Sequence, residues 1–175
     1  MHDLGVRLAG LLRAGDLVVL SGDLGAGKTT LTQGIGEGLK VRGPITSPTF
    51  VIARVHPSLS DGPPLVHVDA YRLNDLAEVD DLDLDASLDD AVTIVEWGEG
   101  MVEDLSTDRL EIRLTRSNGD QVRDGGPDES GPDESGPDES GPDESGPDES
   151  GPDESGERIV RFAGIGARWT GVSVQ

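Results

Sequence analysis

A glycine-rich segment carries the clearest chemical signal in the sequence. It fits the pattern G-x-x-x-x-G-K-[ST], with Gly22, Gly27, Lys28 and Thr29 at the fixed positions. Glycines let successive backbone N–H groups turn inward onto a phosphate, and the following helix points its positive N-terminal end at the same anion. Lys28 can then reach the β- and γ-phosphates, and the Thr29 hydroxyl can bind Mg²⁺. The predicted nucleotide-binding residues are Gly22, Asp23, Leu24, Gly25, Ala26, Gly27, Lys28, Thr29 and Thr30.

The flanking residues argue against a chance match. Glycine makes up 25 of 175 residues, so an accidental fit to the pattern has to be weighed. However, the apolar run at residues 17–20 is typical of a buried strand. Leu31, Ile35 and Leu39 follow at a spacing of four, as one face of a helix requires. A strand before the loop and a helix after it are the context that a nucleotide-binding loop needs.

Two carboxylates end apolar segments farther along the chain. Hydrolysis of a nucleotide needs a carboxylate that holds Mg²⁺ or its waters, and a group that orients the attacking water. Asp69 closes the segment 65–68, and Glu96 closes the segment 93–95. Site residues of α/β sheets lie at such strand ends, although each residue could also be a solvated carboxylate. Both are candidates for the chemistry.

Further polar and aromatic residues lie beside these segments. Thr46, Ser47 and Thr49 occupy a position where a switch loop could sense the γ-phosphate, or they form an ordinary capped turn. Arg72 could pair with a phosphate or with one of the many aspartates. Core packing explains Tyr71 and Trp97 as well as function does, and we expect His67 inside the sheet and His56 at the surface.

Hydrophobic periodicity and turn residues predict the order of the elements. The expected elements are a helix over 3–14, a strand over 17–20, a helix from 28 to about 40, strands over 50–55 and 65–69, short helices within 74–90, a strand over 91–96, a short helix over 99–105, and strands over 109–115 and 158–163. Parallel strands near the phosphate loop with antiparallel additions predict an α/β fold. We expect a single compact domain, a mixed sheet flanked by helices, with strand directions left open.

The chain contains six exact copies of Gly-Pro-Asp-Glu-Ser over residues 126–155. They hold no apolar residue, and their twelve carboxylates contribute twelve of the 21 net negative charges, which leaves −9. Such a composition predicts disorder. The predicted organisation is therefore one domain formed by residues 1–122 and 157–175, with a disordered acidic loop over 123–156.

Composition also limits the partners. Outside the repeats, 14 basic residues face 23 acidic ones, so tight autonomous binding of DNA or RNA is not expected. There is no cysteine, which excludes disulfides and thiolate metal sites. No apolar run approaches a membrane span and no signal-peptide pattern is present, so we expect a cytoplasmic protein without a membrane partner.

Four ordered segments together resemble a known family, the TsaE (YjeE) ATPases of bacterial tRNA threonylcarbamoyladenosine biosynthesis. The segments are Gly22–Thr30, Thr46-Ser47-Pro48-Thr49-Phe50, His67-Val68-Asp69-Ala70-Tyr71-Arg72-Leu73 and Val95-Glu96-Trp97. The likeness covers roughly residues 3–122 and 157–166. It implies a P-loop nucleoside triphosphatase fold that binds ATP and Mg²⁺. It also implies a weak ATPase that works with the TsaD and TsaB proteins, which would hold most of the tRNA.

The resemblance also implies roles for single residues. Thr29 and Glu96 would hold Mg²⁺, Lys28 and Asp69 would serve hydrolysis, and Trp97 would lie close to the site. Family members usually begin earlier, with a segment that helps to hold the base. Either this start is truncated or the base contacts come from elsewhere. Gly98 stands where the family commonly has proline.

Two other functions fit parts of the pattern. A small-molecule phosphotransferase would need an acceptor pocket and usually a lid that carries an arginine. Residues 74–105 contain no arginine. A nucleotide-gated interaction module with negligible turnover is the non-enzymatic alternative. A GTPase is disfavoured, because no Asn/Thr-Lys-x-Asp segment for guanine is present.

Overall fold

The computed structural model describes residues 1–48, 52–73, 88–116 and 157–172. Two α-helices and six strands make up the regular structure of these residues. The helices are α1 (His2–Ala9) and α2 (Lys28–Gly38), and the strands are β1 (Leu17–Gly22), β2 (Ala53–His56), β3 (Leu65–Asp69), β4 (Val92–Glu96), β5 (Arg109–Arg116) and β6 (Arg158–Ile165). Short 3₁₀ turns follow at Ala70–Arg72, Glu103–Leu105 and Ala167–Trp169.

The strands form one mixed sheet in the order β2-β3-β4-β1-β5-β6. The four inner strands are parallel, whereas β2 and β6 run antiparallel to their neighbours at the two edges. The α/β class, the mixed sheet and the flanking helices are therefore confirmed as predicted. Because parallel strands end at the same edge of the sheet, the carboxyl ends of β3, β4, β1 and β5 meet along one line.

The central strand β1 is buried on both faces. Val18 and Leu20 point into a core that α1 and α2 cover, and Leu17 and Val19 point into a second core on the opposite face. This burial explains the uninterrupted apolar run, since a strand inside a parallel sheet has no solvent-facing side. The loop that follows β1 therefore projects from a strand whose first four residues are buried.

The first helix is shorter than expected. It ends at Ala9 and not at residue 14, because Gly10 N–H and Leu11 N–H donate to the carbonyls three residues earlier, which tightens the last turn. The chain then turns through Gly15, which has a φ of +90°. Leu12 is still buried, so the apolar periodicity marked the core-facing residues correctly but not the helix end.

Two other elements differ from the expectation, and a third lies almost entirely outside the described residues. Strand β2 begins at Ala53, because Ile52 has a φ of +70°, outside the strand region, and residues 50–51 of the expected strand lie outside the described residues. The short helix expected over 99–105 is only a 3₁₀ turn at Glu103–Leu105, after Gly100 with a φ of +82°. The expected helices within 74–90 fall almost entirely outside the described residues.

His56 was expected at the surface, and this was wrong. Its side chain is only 3% exposed, and its Nδ1 lies 3.3 Å from the Arg42 carbonyl oxygen. Burial lowers the pKa of His56, although the contact with Arg42 opposes that shift. His67, by contrast, lies inside the sheet as predicted.

The repeats and the rest of residues 117–156 lie outside the described residues, so the predicted domain boundaries stay a prediction. The return strand that follows them is confirmed, because β6 pairs with β5 along its whole length. No helix in the described parts of the chain is both long and apolar enough to cross a membrane.

Candidate nucleotide-binding site

The glycine-rich loop joins the end of β1 to the start of α2. Gly22, Gly25 and Gly27 have φ angles of +136°, +72° and +104°, which side chains other than glycine rarely adopt. A Cβ on Gly22 would also lie 2.1 Å from the Leu114 carbonyl oxygen. A Cβ on Gly27 would lie 3.0 Å from Cγ of Met1, so the first residue of the chain packs against the loop.

Lys28 is the first residue of α2, and its side chain folds back over the loop. Its Nζ donates hydrogen bonds to the carbonyl oxygens of Gly22 at 2.7 Å and Asp23 at 2.9 Å. The same atom lies 3.6 Å from the centre of the Trp97 ring, within reach of a cation–π interaction. Burial lowers the pKa of Lys28, and the nearby carboxylates, Glu96 foremost, oppose that shift.

Glu96 ends β4 and is only 2% exposed. The Thr29 hydroxyl lies 3.1 Å from both of its carboxylate oxygens, and His67 Nε2 lies 2.8 Å from Oε1. A buried carboxylate needs such partners, because an unpaired charge away from water is costly. Thr29 and His67 therefore hold Glu96 from two sides at the mouth of the glycine loop.

Asp69 ends β3 directly beside Glu96, in register with it, and is 3% exposed. Its Oδ1 accepts a hydrogen bond from the Tyr71 backbone N–H at 3.0 Å, which begins the 3₁₀ turn at Ala70–Arg72. Its Oδ2 accepts from the Ser47 hydroxyl at 2.8 Å. The segment that contains Ser47 is thus connected directly to the carboxylate of a neighbouring strand.

These side chains surround one cavity of about 450 Å³. It is lined by Leu24, Gly25, Gly27, Lys28, Thr29, Thr30, Ser47, Asp69, Tyr71, Glu96, Trp97, Arg116 and Arg158. The hydroxyl and carboxylate groups on the β3–β4 side supply hard oxygen donors, the kind that Mg²⁺ prefers. The donor set of this structure therefore fits a magnesium ion, with Thr29 and Glu96 nearest to each other.

The Trp97 ring beside Lys28 is partly buried, and it contacts the exposed ring of Tyr71. Trp97 has a φ of +63°, an unusual backbone conformation for a bulky residue, and its ring lies 5.2 Å from the ring of Tyr71. The next residue has to be small, because a Cβ on Gly98 would lie 2.7 Å from Val95 Cγ1 and 2.9 Å from Val102 Cγ2. Tight packing after β4 thus accompanies the strained position of Trp97.

Not every predicted residue lines the cavity. Gly22 and Asp23 contribute their carbonyl groups to Lys28, and Ala26 is buried in the core. Thr46 and Arg72 are exposed and lie outside the cavity lining. Thr49 falls outside the described residues.

Sequence reasoning missed three residues of the site. His67 was assigned to packing only, since its contact with Glu96 depends on two strands being neighbours. Arg116 and Arg158 line the cavity from β5 and β6, where the register pairs them directly. The local sequence gives no signal for this pair, because 41 residues separate them along the chain.

The comparisons with known proteins agree on one family. The profile described as threonylcarbamoyl adenosine biosynthesis protein TsaE matches residues 1–124. A protein of Streptomyces coelicolor named tRNA threonylcarbamoyladenosine biosynthesis protein TsaE is 73% identical over 69% of this chain and 82% of its own length. The protein of that name from Mycobacterium tuberculosis strain H37Rv is 55% identical over 69% and 76%.

A solved structure is similar as well. The crystal structure of YdiB from Bacillus subtilis matches with a TM-score of 0.51 and 33% sequence identity, over 67% of this chain and 70% of that one. The Bacillus subtilis protein named as TsaE is 42% identical over 65% of this chain and 70% of its own length. Profile, sequences and fold lead to the same conclusion: the chain belongs to the TsaE family.

Proposed function

We propose that this chain binds ATP with Mg²⁺, hydrolyses it slowly, and acts as the ATPase subunit in threonylcarbamoyladenosine modification of tRNA. Family membership supports the pathway. One observation supports the ATPase activity most strongly: the Thr29 hydroxyl lies 3.1 Å from both oxygens of the buried Glu96, beside a complete glycine loop. A loop that only bound phosphate would not need a buried carboxylate there.

Different residues of the chain would bind the phosphates and the Mg²⁺ ion. The backbone N–H groups of the loop and the N-terminus of α2 would hold the phosphates. Lys28 would exchange its bonds to the carbonyls of Gly22 and Asp23 for bonds to phosphate oxygens. Thr29 and Glu96 would bind Mg²⁺, which when bound supplies charge neutralisation of the phosphate oxygens.

Asp69 would act next to Glu96, either through the waters of the metal or by orienting the attacking water. Its two oxygens are already positioned by the Tyr71 N–H and the Ser47 hydroxyl. Ser47 belongs to the candidate switch residues, so a change at the phosphates would reach Asp69 through a single hydrogen bond. This connection supports a switch role for the segment that holds Thr46, Ser47 and Thr49.

The proposed partners are the TsaB and TsaD proteins, with tRNA contacted only indirectly, in the cytoplasm. The charge supports this division of labour, because a chain with a formal net charge of −21 would repel the phosphates of tRNA. Proteins with more basic surfaces would therefore have to bind the tRNA.

The test is ATP hydrolysis by the purified chain, with and without a TsaB–TsaD complex. We expect low turnover alone and stimulation by the partners, both abolished in Lys28→Ala because the phosphate-binding ammonium group is gone. Phosphate transfer to a small acceptor, independent of the partners, would show a phosphotransferase instead. Unchanged hydrolysis in Lys28→Ala would contradict the assignment of the site.

A nucleotide-gated module with negligible turnover is the second candidate. One observation favours it: Lys28 is engaged by two carbonyls and Trp97, an arrangement that has to open before phosphate is bound. Separate Asp69→Ala and Glu96→Ala variants distinguish the two functions. A pure binding module would still support tRNA modification in cells with either variant, whereas a required ATPase would not.

A further inference from the structure

Two arginines on neighbouring strands line the cavity. Arg116 is the last residue of β5 and Arg158 is the first residue of β6, and the antiparallel register places them directly opposite each other. Both line the same cavity as Lys28 and Thr29. Nη2 of Arg116 donates a hydrogen bond of 2.6 Å to the carbonyl oxygen of Gly25, so this side chain lies across the phosphate loop.

Like charges opposite each other on adjacent strands are unfavourable unless something compensates them. Among the described residues, neither arginine forms an ion pair, whereas Arg109, Arg113 and Arg168 each pair with a carboxylate. The formal net charge of the chain is −21, which makes two facing arginines with no ion pair to a described residue more unusual. An anion in the cavity would relieve the repulsion between the two guanidinium groups.

The order of the strands separates the two sides of the site. Asp69 and Glu96 lie at the ends of β3 and β4, on one side of β1. Arg116 and Arg158 lie at the same edge of the sheet but on the other side of β1. The phosphate loop runs between them, so an extended phosphate chain on the loop would have oxygen ligands for a metal on one side and arginines on the other.

We infer that Arg116 and Arg158 form a cationic subsite for the phosphate chain of the nucleotide, on the side of the loop away from Glu96. The inference rests on the proposed function and adds two residues to it. Because the subsite lies on the other side of β1 from Asp69 and Glu96, it stabilises bound ADP and bound ATP alike, with or without Mg²⁺. It sets nucleotide affinity.

The experiment measures the dissociation constants of ADP and ATP by isothermal titration calorimetry, with Mg²⁺ and with EDTA. Arg158→Gln is expected to weaken the binding of both nucleotides about tenfold, since a charge-assisted hydrogen bond is lost. Arg116→Gln is expected to do the same. Arg116→Lys keeps the charge and is expected to bind more tightly than Arg116→Gln.

Arg161→Gln is the matched control. It removes the same charge from the same strand, but its side chain is on the opposite face of the sheet and outside the cavity lining. Its dissociation constants are expected to stay within about twofold of the wild type, which separates the subsite from a general loss of positive charge.

The outcomes separate this inference from the proposed function. If the wild type binds neither ADP nor ATP, both fail. A different result would refute only the subsite. In that case the wild type binds the nucleotides, Lys28→Ala does not, and both arginine variants bind them as tightly as the wild type does. A fall in turnover with unchanged affinity also refutes it, because the arginines would then act on the transition state. Of the two arginines, Arg116 is the one that is hydrogen-bonded to Gly25. Weaker binding in Arg158→Gln therefore cannot be caused by the loss of that bond to the loop.

Discussion

The position of Glu96 depends on a donor that the neighbouring strand supplies. A carboxylate only accepts hydrogen bonds, so the 2.8 Å contact requires His67 to present a proton on Nε2. His67 is 0% exposed, and its Nδ1 has no partner among the described residues. Among the described residues, the contact with Glu96 is thus the only hydrogen bond that compensates the burial of this imidazole.

Replacement of His67 tests this arrangement. His67→Leu leaves the buried Glu96 with only the Thr29 hydroxyl that its two oxygens share, and we expect a loss of about 1–3 kcal/mol in the free energy of unfolding. His67→Gln keeps an N–H donor near the same place and is expected to recover part of that loss. Urea denaturation of the three proteins measures the difference. Equal stability of the leucine and glutamine variants would mean that the donor contributes nothing.

His56 predicts a pH dependence of stability. Burial lowers its pKa from 6.5, helped by the charges of His67 and Arg54 and opposed by the Arg42 carbonyl. Between the lowered value and 6.5 the unfolded chain binds a proton that the folded chain does not, so stability falls as the pH falls below about 6.5. Above that pH the two states are equally deprotonated and the effect vanishes.

The measurement compares wild type and His56→Gln in urea at pH 7.5 and at pH 5.5. The glutamine variant cannot take up this proton, so its stability is expected to decrease less than that of the wild type over this interval. Other groups titrate equally in both proteins and cancel in the comparison. A steeper decrease in the variant would contradict the burial argument.

At the level of elements, α1 and α2 approach each other so closely that only glycine fits at their points of contact. A Cβ on Gly34 would lie 2.0 Å from the His2 carbonyl oxygen, and one on Gly5 would lie 2.3 Å from the Leu31 carbonyl oxygen. Backbone at that distance cannot move aside as a flexible side chain would. The close contact matters for the site, because α2 begins with Lys28 and Thr29.

Gly34→Ala tests the helix contact. Alanine favours the helix by about 1 kcal/mol, but the clash with α1 is expected to exceed that gain and to destabilise the protein by about 1–3 kcal/mol net. Gly10→Ala is the matched control, since its Cβ would have only the Arg7 carbonyl oxygen as a neighbour, at 3.4 Å. It is expected to be neutral or slightly stabilising, as measured by urea denaturation. Stabilisation by both substitutions would show that the helices separate freely.

The site residues differ in whether they could be predicted from the sequence. Lys28 and Thr29 were predictable because the loop motif is local, and Asp69 and Glu96 because each ends its own apolar strand. His67 and the Arg116–Arg158 pair were not predictable, since their roles depend on which strands become neighbours and in which register. The end of α1 was placed too late, because Leu12 is buried although it lies beyond the end of the helix.

At the scale of the whole molecule, the connection between β5 and β6 is both long and rich in negative charge. The repeats add twelve carboxylates to the connection between these strands and no apolar residue. If they behave as unstructured chain, as their composition predicts, their effect on stability is mainly the entropy of loop closure. We expect their effect on a bound nucleotide to be electrostatic, because the connection leaves the sheet at Arg116 and returns at Arg158.

Deletion of residues 126–155 tests both effects. It shortens the connection 117–157 from 41 to 11 residues. We expect a gain of about 1 kcal/mol in the free energy of unfolding from loop closure. We also expect tighter binding of ADP at low salt, with the difference disappearing at high salt as the charges are screened. A large loss of stability would show that the repeats are part of the fold.

The contact between Met1 and the phosphate loop has a practical consequence for anyone who purifies this protein. Because Cγ of Met1 lies only 3.0 Å from the place that a Cβ on Gly27 would take, an affinity tag fused ahead of Met1 would emerge beside the glycine-rich loop. Residues left after tag cleavage would compete for that space or add contacts of their own. Assays of nucleotide affinity are therefore better made with a C-terminal tag.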